Sequence, residues 1–336
     1  MEHAFARRTT LAITSLFSVI GLSVALAGCG GGAGGEPPAP VPVAPPTFKG
    51  LQSFAAAAVV IGQRGFTTGE PNAGGDAPTE ATLSNPGGVA VSEDGTLLIS
   101  DANNRRVLGY RALPQTPGQA ADFVLGQPDE PEAPEAYTSP QNISIGAGKV
   151  AVVDRLTHRI LIYDAVPTDG TARPRVVVGQ PNFSSRDPGC SDVNLLNPRS
   201  ASITPDGKLI VADTGNSRVL IWKAVPDVHG KKADVVLGQQ NFLSCESNQG
   251  NAVAARHTLS RPEGVWSDGV RLAVADWDNS RVLLWDELTM TSGQEPNRVL
   301  GQLDFDSRQS GAPAPDTLAF PRSVAWDGTH LAGSGS

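Results

Sequence analysis

The fold is decided by one stretch, which reads Val-Ala-Asp-Thr-Gly-Asn-Ser-Arg-Val-Leu over residues 211–220. A short apolar run ends at Asp213, Asn216 lies in the turn that follows, and Arg218 opens the next apolar run. An Asp at a strand end can accept hydrogen bonds from its own turn, and Asn tolerates the left-handed backbone that such turns need. Because Arg218 stands five residues after Asp213, its guanidinium lies within reach of that carboxylate. The stretch predicts a β-hairpin stapled by an Asp–Arg pair.

The same hairpin motif recurs three more times along the chain. The other copies are Asp101, Asn104 and Arg106, then Asp154, Thr157 and Arg159, then Asp276, Asn279 and Arg281. We expect these pairs to be structural, since a catalytic group rarely recurs in every repeat.

Two further markers share this period. Five prolines stand three residues after a large apolar residue, at Pro86, Pro140, Pro198, Pro262 and Pro321, so that they are spaced 54, 58, 64 and 59 residues apart. A Gly-Gln pair occurs five times, at Gly62-Gln63, Gly126-Gln127, Gly179-Gln180, Gly238-Gln239 and Gly301-Gln302. Long self-similar periods indicate a solenoid or a propeller.

Each full repeat contains four short strand-like runs bounded by turn residues. In the third repeat these are Ala201–Thr204, Lys208–Ala212, Arg218–Trp222 and Asp234–Leu237. The runs are apolar at consecutive positions, whereas a sheet with one wet face would alternate. Sheets stacked as blades around an axis are covered on both faces. The sequence therefore predicts an all-β propeller of four-stranded blades, whose strands we name A to D in chain order.

Residues 211–220, with Pro205-Asp206-Gly207 before them, resemble the NHL repeat, a propeller-blade unit. The resemblance extends from about residue 57 to residue 331, and blade two departs from it by reading Arg155-Leu156-Thr157-His158 in place of a Gly-Asn turn. It implies an NHL-like β-propeller over residues 53–336 with five recognisable repeats. The fifth repeat ends early at residues 333–336, and Ala58–Ile61 reads as a fourth strand without its first three. We expect an incomplete last blade and a gap or an open ring.

The first residues predict export. Arg7 and Arg8 precede an uncharged apolar run, and Leu26-Ala27-Gly28-Cys29 resembles the lipobox of bacterial lipoproteins. The resemblance implies a signal peptide over residues 1–28, lipidation of Cys29 and a Gly/Pro-rich tether over residues 29–52. Gly30 at the next position favours the outer membrane of the bacterial cell envelope. The alternative is an uncleaved membrane helix.

Charge and motifs limit the function classes. The formal net charge is -8, and a surface of this sign repels phosphate backbones, so we expect no nucleic acid partner. The histidines after residue 29 stand at different repeat positions, at His158, His229, His257 and His330. No metal-ligand set, catalytic triad or cofactor motif can be placed, so we expect no metal and no cofactor.

The best candidate site is the mouth of the central channel. The long crossovers from strand D to strand A, the turns between strands B and C and the starts of the innermost strands A share one face, and such loops often bind ligands. The residues after the repeat prolines are Gly87, Gln141, Arg199, Glu263 and Arg322. Partly desolvated charges there suit either an ion-pair belt or an anion site. Trp277, in the B–C turn of blade four, adds an aromatic surface for a ligand or a partner protein.

Two cysteines lie in neighbouring crossovers. Cys190 and Cys245 both follow a Gly-Gln-x-Asn-Phe segment, and export places them in an oxidising compartment. We predict a disulfide between them.

Two classes of function remain open. One is an envelope-anchored scaffold that binds a small molecule or a protein, and this is the class that we expect. The alternative is an NHL-like lyase or hydrolase acting on an exported substrate, which only fold analogy supports.

Overall fold

The computed structural model describes residues 56–126, 133–309, 314, 316–326 and 330–335. The repeats lie in one compact unit, Val59–Ser336. The predicted signal peptide, the lipidated Cys29 and the tether up to residue 52 lie outside the described residues. None of the helices in the described part of the chain is long and apolar enough to cross a membrane.

The described residues form five antiparallel sheets, and the first four have four strands each. The strands of blades one and two are β1 (Pro86–Val91), β2 (Leu97–Asp101), β3 (Arg106–Tyr110), β4 (Phe123–Leu125), β5 (Pro140–Gly146), β6 (Lys149–Asp154), β7 (Arg159–Tyr163) and β8 (Val176–Val178). Blades three and four contain β9 (Ser200–Ile203), β10 (Leu209–Asp213), β11 (Arg218–Trp222), β12 (Val235–Leu237), β13 (Pro262–Ser267), β14 (Leu272–Asp276), β15 (Arg281–Trp285) and β16 (Arg298–Leu300). Blade five is a pair, β17 (Ser323–Trp326) and β18 (Leu331–Ser334).

The remaining elements are short 3-10 helices. Four of them form the B–C turns, at Ala102–Asn104, Arg155–Thr157, Thr214–Asn216 and Trp277–Asn279, and two lie in crossovers, at Pro71–Gly74 and Ser247–Gly250.

Within every four-stranded sheet the strands pair in chain order from A to D. The A strands lie side by side at the centre, so that β1 packs against β5, β5 against β9, β9 against β13 and β13 against β17. Side chains link these inner strands: the Ser144 hydroxyl accepts from the Ile203 amide at 2.8 Å, and the Ala201 amide donates to Asn142 Oδ1 at 3.0 Å. This is the predicted β-propeller.

The continuous apolar runs are buried on both faces, as predicted. In β10, Leu209 and Val211 pack towards blade two in one core cluster, while Ile210 and Ala212 pack towards blade four in another. Since successive strand residues point to opposite faces, each blade contributes to two cores.

The ring is open within the described residues. No packing comparable to that of the other A strands joins β17 to β1. The outer strand β16 exposes Arg298 and Leu300, whereas the outer strands of blades two and three are fully buried. The incomplete last blade is thus confirmed.

The run Ala58–Ile61 differs from the prediction, because it is not a strand and pairs with neither β17 nor β18. Ile61 packs on the core of blade one, and the Val60 carbonyl accepts from the Gly118 amide at 3.3 Å. The Val177 carbonyl of strand β8 accepts an equivalent bond from Gly230 at 3.2 Å. The run therefore occupies the place of an outer strand beside blade one without a sheet partner to extend it.

Candidate functional site

The Asp–Arg pairs form the frame of the crossover face. Their distances are 2.8 Å for Asp101–Arg106, 3.3 Å for Asp154–Arg159, 2.7 Å for Asp213–Arg218 and 2.8 Å for Asp276–Arg281. Each carboxylate also accepts backbone amides at the start of its blade, such as the Leu196 amide on Asp213 at 2.7 Å. Burial raises the pKa of Asp213, so desolvation outweighs the attraction of its cationic partner.

These arginines hold the crossovers as well as the hairpins. Arg218 donates to the Ser191 carbonyl at 2.8 Å in the crossover that enters its blade. It also donates to the Phe242 carbonyl at 2.6 Å in the crossover that leaves the blade. The carbonyls of Phe183 and Phe305, which also stand three residues after the Gln of a Gly-Gln pair, accept from Arg159 and Arg281 in the same way, a role that sequence reasoning missed. The face is fixed by fully satisfied buried charges.

The Gly-Gln pairs shape the same crossovers. Gly238 has φ +84°, and a Cβ there would lie 2.5 Å from Leu259 Cδ1. Gln239 Nε2 donates to the Ser217 carbonyl at 3.0 Å and to the Glu246 carbonyl at 2.8 Å. The glycine lets the apolar residue before the repeat proline pack closely, and the amide fixes the loop that follows.

Adjacent blades are joined at the ends of the B–C turns of blades two, three and four. The residue that ends each of these turns is left-handed, and its side chain accepts a hydrogen bond from the amide of the residue before the next repeat proline. Ser217 Oγ accepts from the Arg261 amide at 3.2 Å, and His158 Nδ1 accepts from the Asn197 amide at 3.1 Å. Burial lowers the pKa of His158, which keeps the ring neutral and able to accept.

The predicted disulfide is present. Cys190 and Cys245 are bonded with their Cα atoms 6.4 Å apart, and they tie together the crossovers on either side of blade three. A cleft of about 400 Å³ lies beside the bond, lined by both cysteines and by Gln239, Leu243 and Gln249.

We define the mouth as the surface formed by three sets of residues. These are the residues directly before each repeat proline, the residues directly after it, and the first residue of each B–C turn. Arg199 Nε lies 3.6 Å from Glu263 Oε1, with side chains 21% and 5% exposed. Gln141 donates to Ser139 Oγ at 3.0 Å, and a Cβ on Gly87 would meet the Gln141 carbonyl at 2.4 Å. Arg322 is exposed. These predicted residues therefore contain one ion pair rather than a belt of them.

Arg155 belongs to the mouth although sequence reasoning treated it as part of an irregular turn. It is partly buried, and its Nε is enclosed without a hydrogen-bond partner in the described part of the chain. Thr214, at the same turn position in blade three, reaches the Pro262 carbonyl of the next blade at 2.6 Å. Arg155 likewise acts on the next blade, because its charge, with those of Arg322 and Arg261, opposes the charge of Arg199. Burial is the largest cause that lowers the pKa of Arg199, and Glu263 partly opposes it.

Trp277 lies at the mouth in contact with Arg261 and Phe320. The Arg261 guanidinium lies 4.6 Å from its ring centroid, and the Phe320 ring lies 5.1 Å away. Its Nε1 is buried and finds no acceptor among the described residues. The indole therefore contacts residues that precede the repeat prolines of blades four and five.

The histidines differ in burial and lie at different positions of the repeat. Only His158 is partly buried, while His229, His257 and His330 are exposed. No group of three or more His, Cys, Asp or Glu side chains that could hold a metal occurs in the described part of the chain.

The sequence profile of the NHL repeat matches residues 195–222, which run from Leu195 through strand β11. The stacked antiparallel sheets form a β-propeller, and its third blade contains the segment that matches an NHL repeat. The comparison with curated proteins returns no match.

Three solved structures are similar to this chain at low identity. A chain of a nidogen/laminin complex is 16% identical, with TM-score 0.44 over 74% of this chain and 72% of that one. A protein from Lactobacillus plantarum is 16% identical, with TM-score 0.39 over 60% of this chain and 52% of that one. A catalytically inactive virginiamycin B lyase from Staphylococcus aureus with quinupristin is 12% identical, with TM-score 0.38 over 76% of this chain and 65% of that one.

Proposed function

We propose that this propeller is a binding scaffold for a small molecule or a protein, and that the mouth is its binding site. The observation that carries the proposal is a contrast within one face of the molecule. The staple arginines are buried and fully bonded. Arg199, by contrast, pairs only with the Glu263 carboxylate, at 3.6 Å, and the buried Nε of Arg155 has no hydrogen-bond partner among the described residues. Partly buried charges without full pairing are unfavourable unless a ligand completes them.

A thermal-shift screen of small molecules tests this site. Hits are then titrated against the wild type and against Arg199→Ala, Arg322→Ala and Trp277→Ala. We expect the affinity of a genuine ligand to fall in at least one of the three variants. A ligand whose affinity is unchanged in all three would exclude the mouth as its site.

The same proposal places the propeller at the bacterial cell envelope, attached to the outer membrane through lipidated Cys29. It is supported by the lipobox Leu26-Ala27-Gly28-Cys29 and by the Gly/Pro-rich residues that follow. Mass spectrometry of the amino-terminal peptide of membrane-extracted protein should show diacylglyceryl and acyl groups on Cys29. Cys29→Ser should move the protein from the membrane fraction to the soluble fraction, and unchanged fractionation of that variant would contradict the anchor.

A further inference from the structure

Four guanidinium groups converge on the mouth from four blades. Arg199 and Arg322 directly precede the A strands of blades three and five. Arg155 begins the B–C turn of blade two, and Arg261 precedes the repeat proline of blade four. The charges of the other three all act on Arg199. Side chains from elements far apart in sequence thus form one positive cluster on a chain whose net charge is -8.

Carboxylates do not balance this cluster. Glu263 lies 3.6 Å from Arg199, and Asp278 lies 3.9 Å from Arg261. Among the described residues, Arg155 and Arg322 have no carboxylate within ion-pair distance. Four cations and two paired anions leave an excess of two positive charges at the mouth.

The donors at the mouth are also incompletely used. Arg218, a staple arginine, donates to one carboxylate and to three backbone carbonyls. The Arg155 residue is only partly buried, but its Nε is buried and has no acceptor in the described part of the chain. Buried donors without acceptors are rare in folded proteins, and each raises the free energy of the unoccupied site.

We propose that the mouth binds a small ligand with at least two oxyanion groups, carboxylate or phosphate. The inference rests on the proposed function, because it names the chemical class of ligand for the same site. A guanidinium presents a planar fork of donors that matches a carboxylate or a phosphate in a bidentate manner. Two positive charges in excess favour a ligand with two or more negative charges over a monoanion, and partial burial strengthens that attraction.

Citrate and inorganic pyrophosphate are the two probes, measured by isothermal titration calorimetry at low ionic strength, with glucose as a neutral probe. We expect citrate, pyrophosphate or both to bind, which separates a carboxylate ligand from a phosphate ligand. Arg199→Gln and Arg155→Gln should each weaken binding by about tenfold. Glu263→Gln should strengthen it, because it removes the carboxylate that competes for Arg199. Arg298→Gln, on the outer strand β16 with a side chain 65% exposed, is the matched control and should bind as the wild type does.

The opposite effects of the Arg199 and Glu263 variants separate a binding role from a structural one, since a loss of fold would weaken binding in both. Thermal unfolding of each variant checks that the fold is kept. The anion proposal is overturned if neither probe binds the wild type, or if the affinities of the Arg155, Arg199 and control variants are equal. If neither anion binds and a screened neutral ligand loses affinity in Trp277→Ala but not in Arg199→Gln, the mouth remains the binding site and only the anion proposal fails. If no ligand responds to any mouth variant, both proposals fail.

Discussion

Arg218 is wholly buried, and its hydrogen bonds go to groups at repeated positions of the fold. These groups are the Asp213 carboxylate and the backbone carbonyls of the two adjoining crossovers. The same is true of Arg159 and Arg281 in the adjoining blades. Burial raises the pKa of Asp213, so desolvation of this carboxylate outweighs the attraction of Arg218. The role of the pair is to set the position of two crossovers relative to one hairpin.

Removal of one staple partner should therefore be severe. Arg218→Ala leaves the Asp213 carboxylate buried without its cationic partner and removes the donor to three backbone carbonyls, so it should lower the free energy of unfolding by about 3–5 kcal/mol. The control Arg298→Ala breaks an exposed pair with Asp286 and should change it by less than about 1 kcal/mol. Urea unfolding measures both, and equal losses would contradict the structural role of the staple.

His158 gives the protein a specific sensitivity to acid. Its neutral Nδ1 accepts the Asn197 amide, and burial lowers the pKa of this imidazole below the ordinary 6.5. Because the folded-state pKa lies below the unfolded one, the stabilisation is complete above pH 6.5 and declines as the pH falls through the lowered value.

Ser occupies this turn position in blades three and four and accepts the same bond, so His158→Ser should keep the contact and lose that part of the pH dependence. Thermal unfolding from pH 7.5 to about pH 4.5 compares the two proteins. Identical pH slopes would show that His158 does not contribute.

At the scale of the element, three groups fix the shape of each crossover. In the crossover after blade three they are Gly238, the side-chain amide of Gln239 and the apolar side chain of Leu259. Gly238 and Gly250 have nearly the same backbone angle, at φ +84° and +81°, but only Gly238 has neighbours where a Cβ would stand. The comparison separates the backbone requirement from the packing requirement.

Gly250→Ala should lower the free energy of unfolding by about 1 kcal/mol, the usual effect of a left-handed non-glycine residue. Gly238→Ala should lower it by about 2–4 kcal/mol, since its Cβ would also displace Leu259. Equal effects in urea unfolding would contradict the packing role of the Gly-Gln marker.

The elements that repeat could be predicted from the sequence, and those that break the repeat could not. Blade three matches its predicted strands within a residue at each end, because four short β-branched runs alternate with strong turn residues. Arg155 was missed as a site residue because its local pattern identifies only a turn. Its role depends on Arg199 of the next blade, a relation that appears only when blades are stacked. Likewise, the run Ala58–Ile61 has strand composition but lacks a partner strand.

At the scale of the molecule, the disulfide links two successive crossovers and so fixes blade three against its neighbours. The sequence separation of Cys190 and Cys245 is 55 residues, and a loop of that length corresponds to about 4 kcal/mol in the chain-entropy model. The Cys190→Ser, Cys245→Ser double variant should unfold at correspondingly lower urea concentration than the oxidised wild type. Addition of a reductant should move the wild type to the same midpoint, and two free thiols in unreduced protein would contradict the bond.

The most direct test of the mouth as the ligand site is a crystal structure of the protein with citrate or pyrophosphate, whichever binds more tightly in calorimetry, at a concentration near its dissociation constant. The account predicts that anion at the mouth, with its oxygens within hydrogen-bond distance of Arg199 and of the Nε of Arg155. The anion bound away from all four mouth arginines, with those side chains placed as they are without ligand, would contradict it.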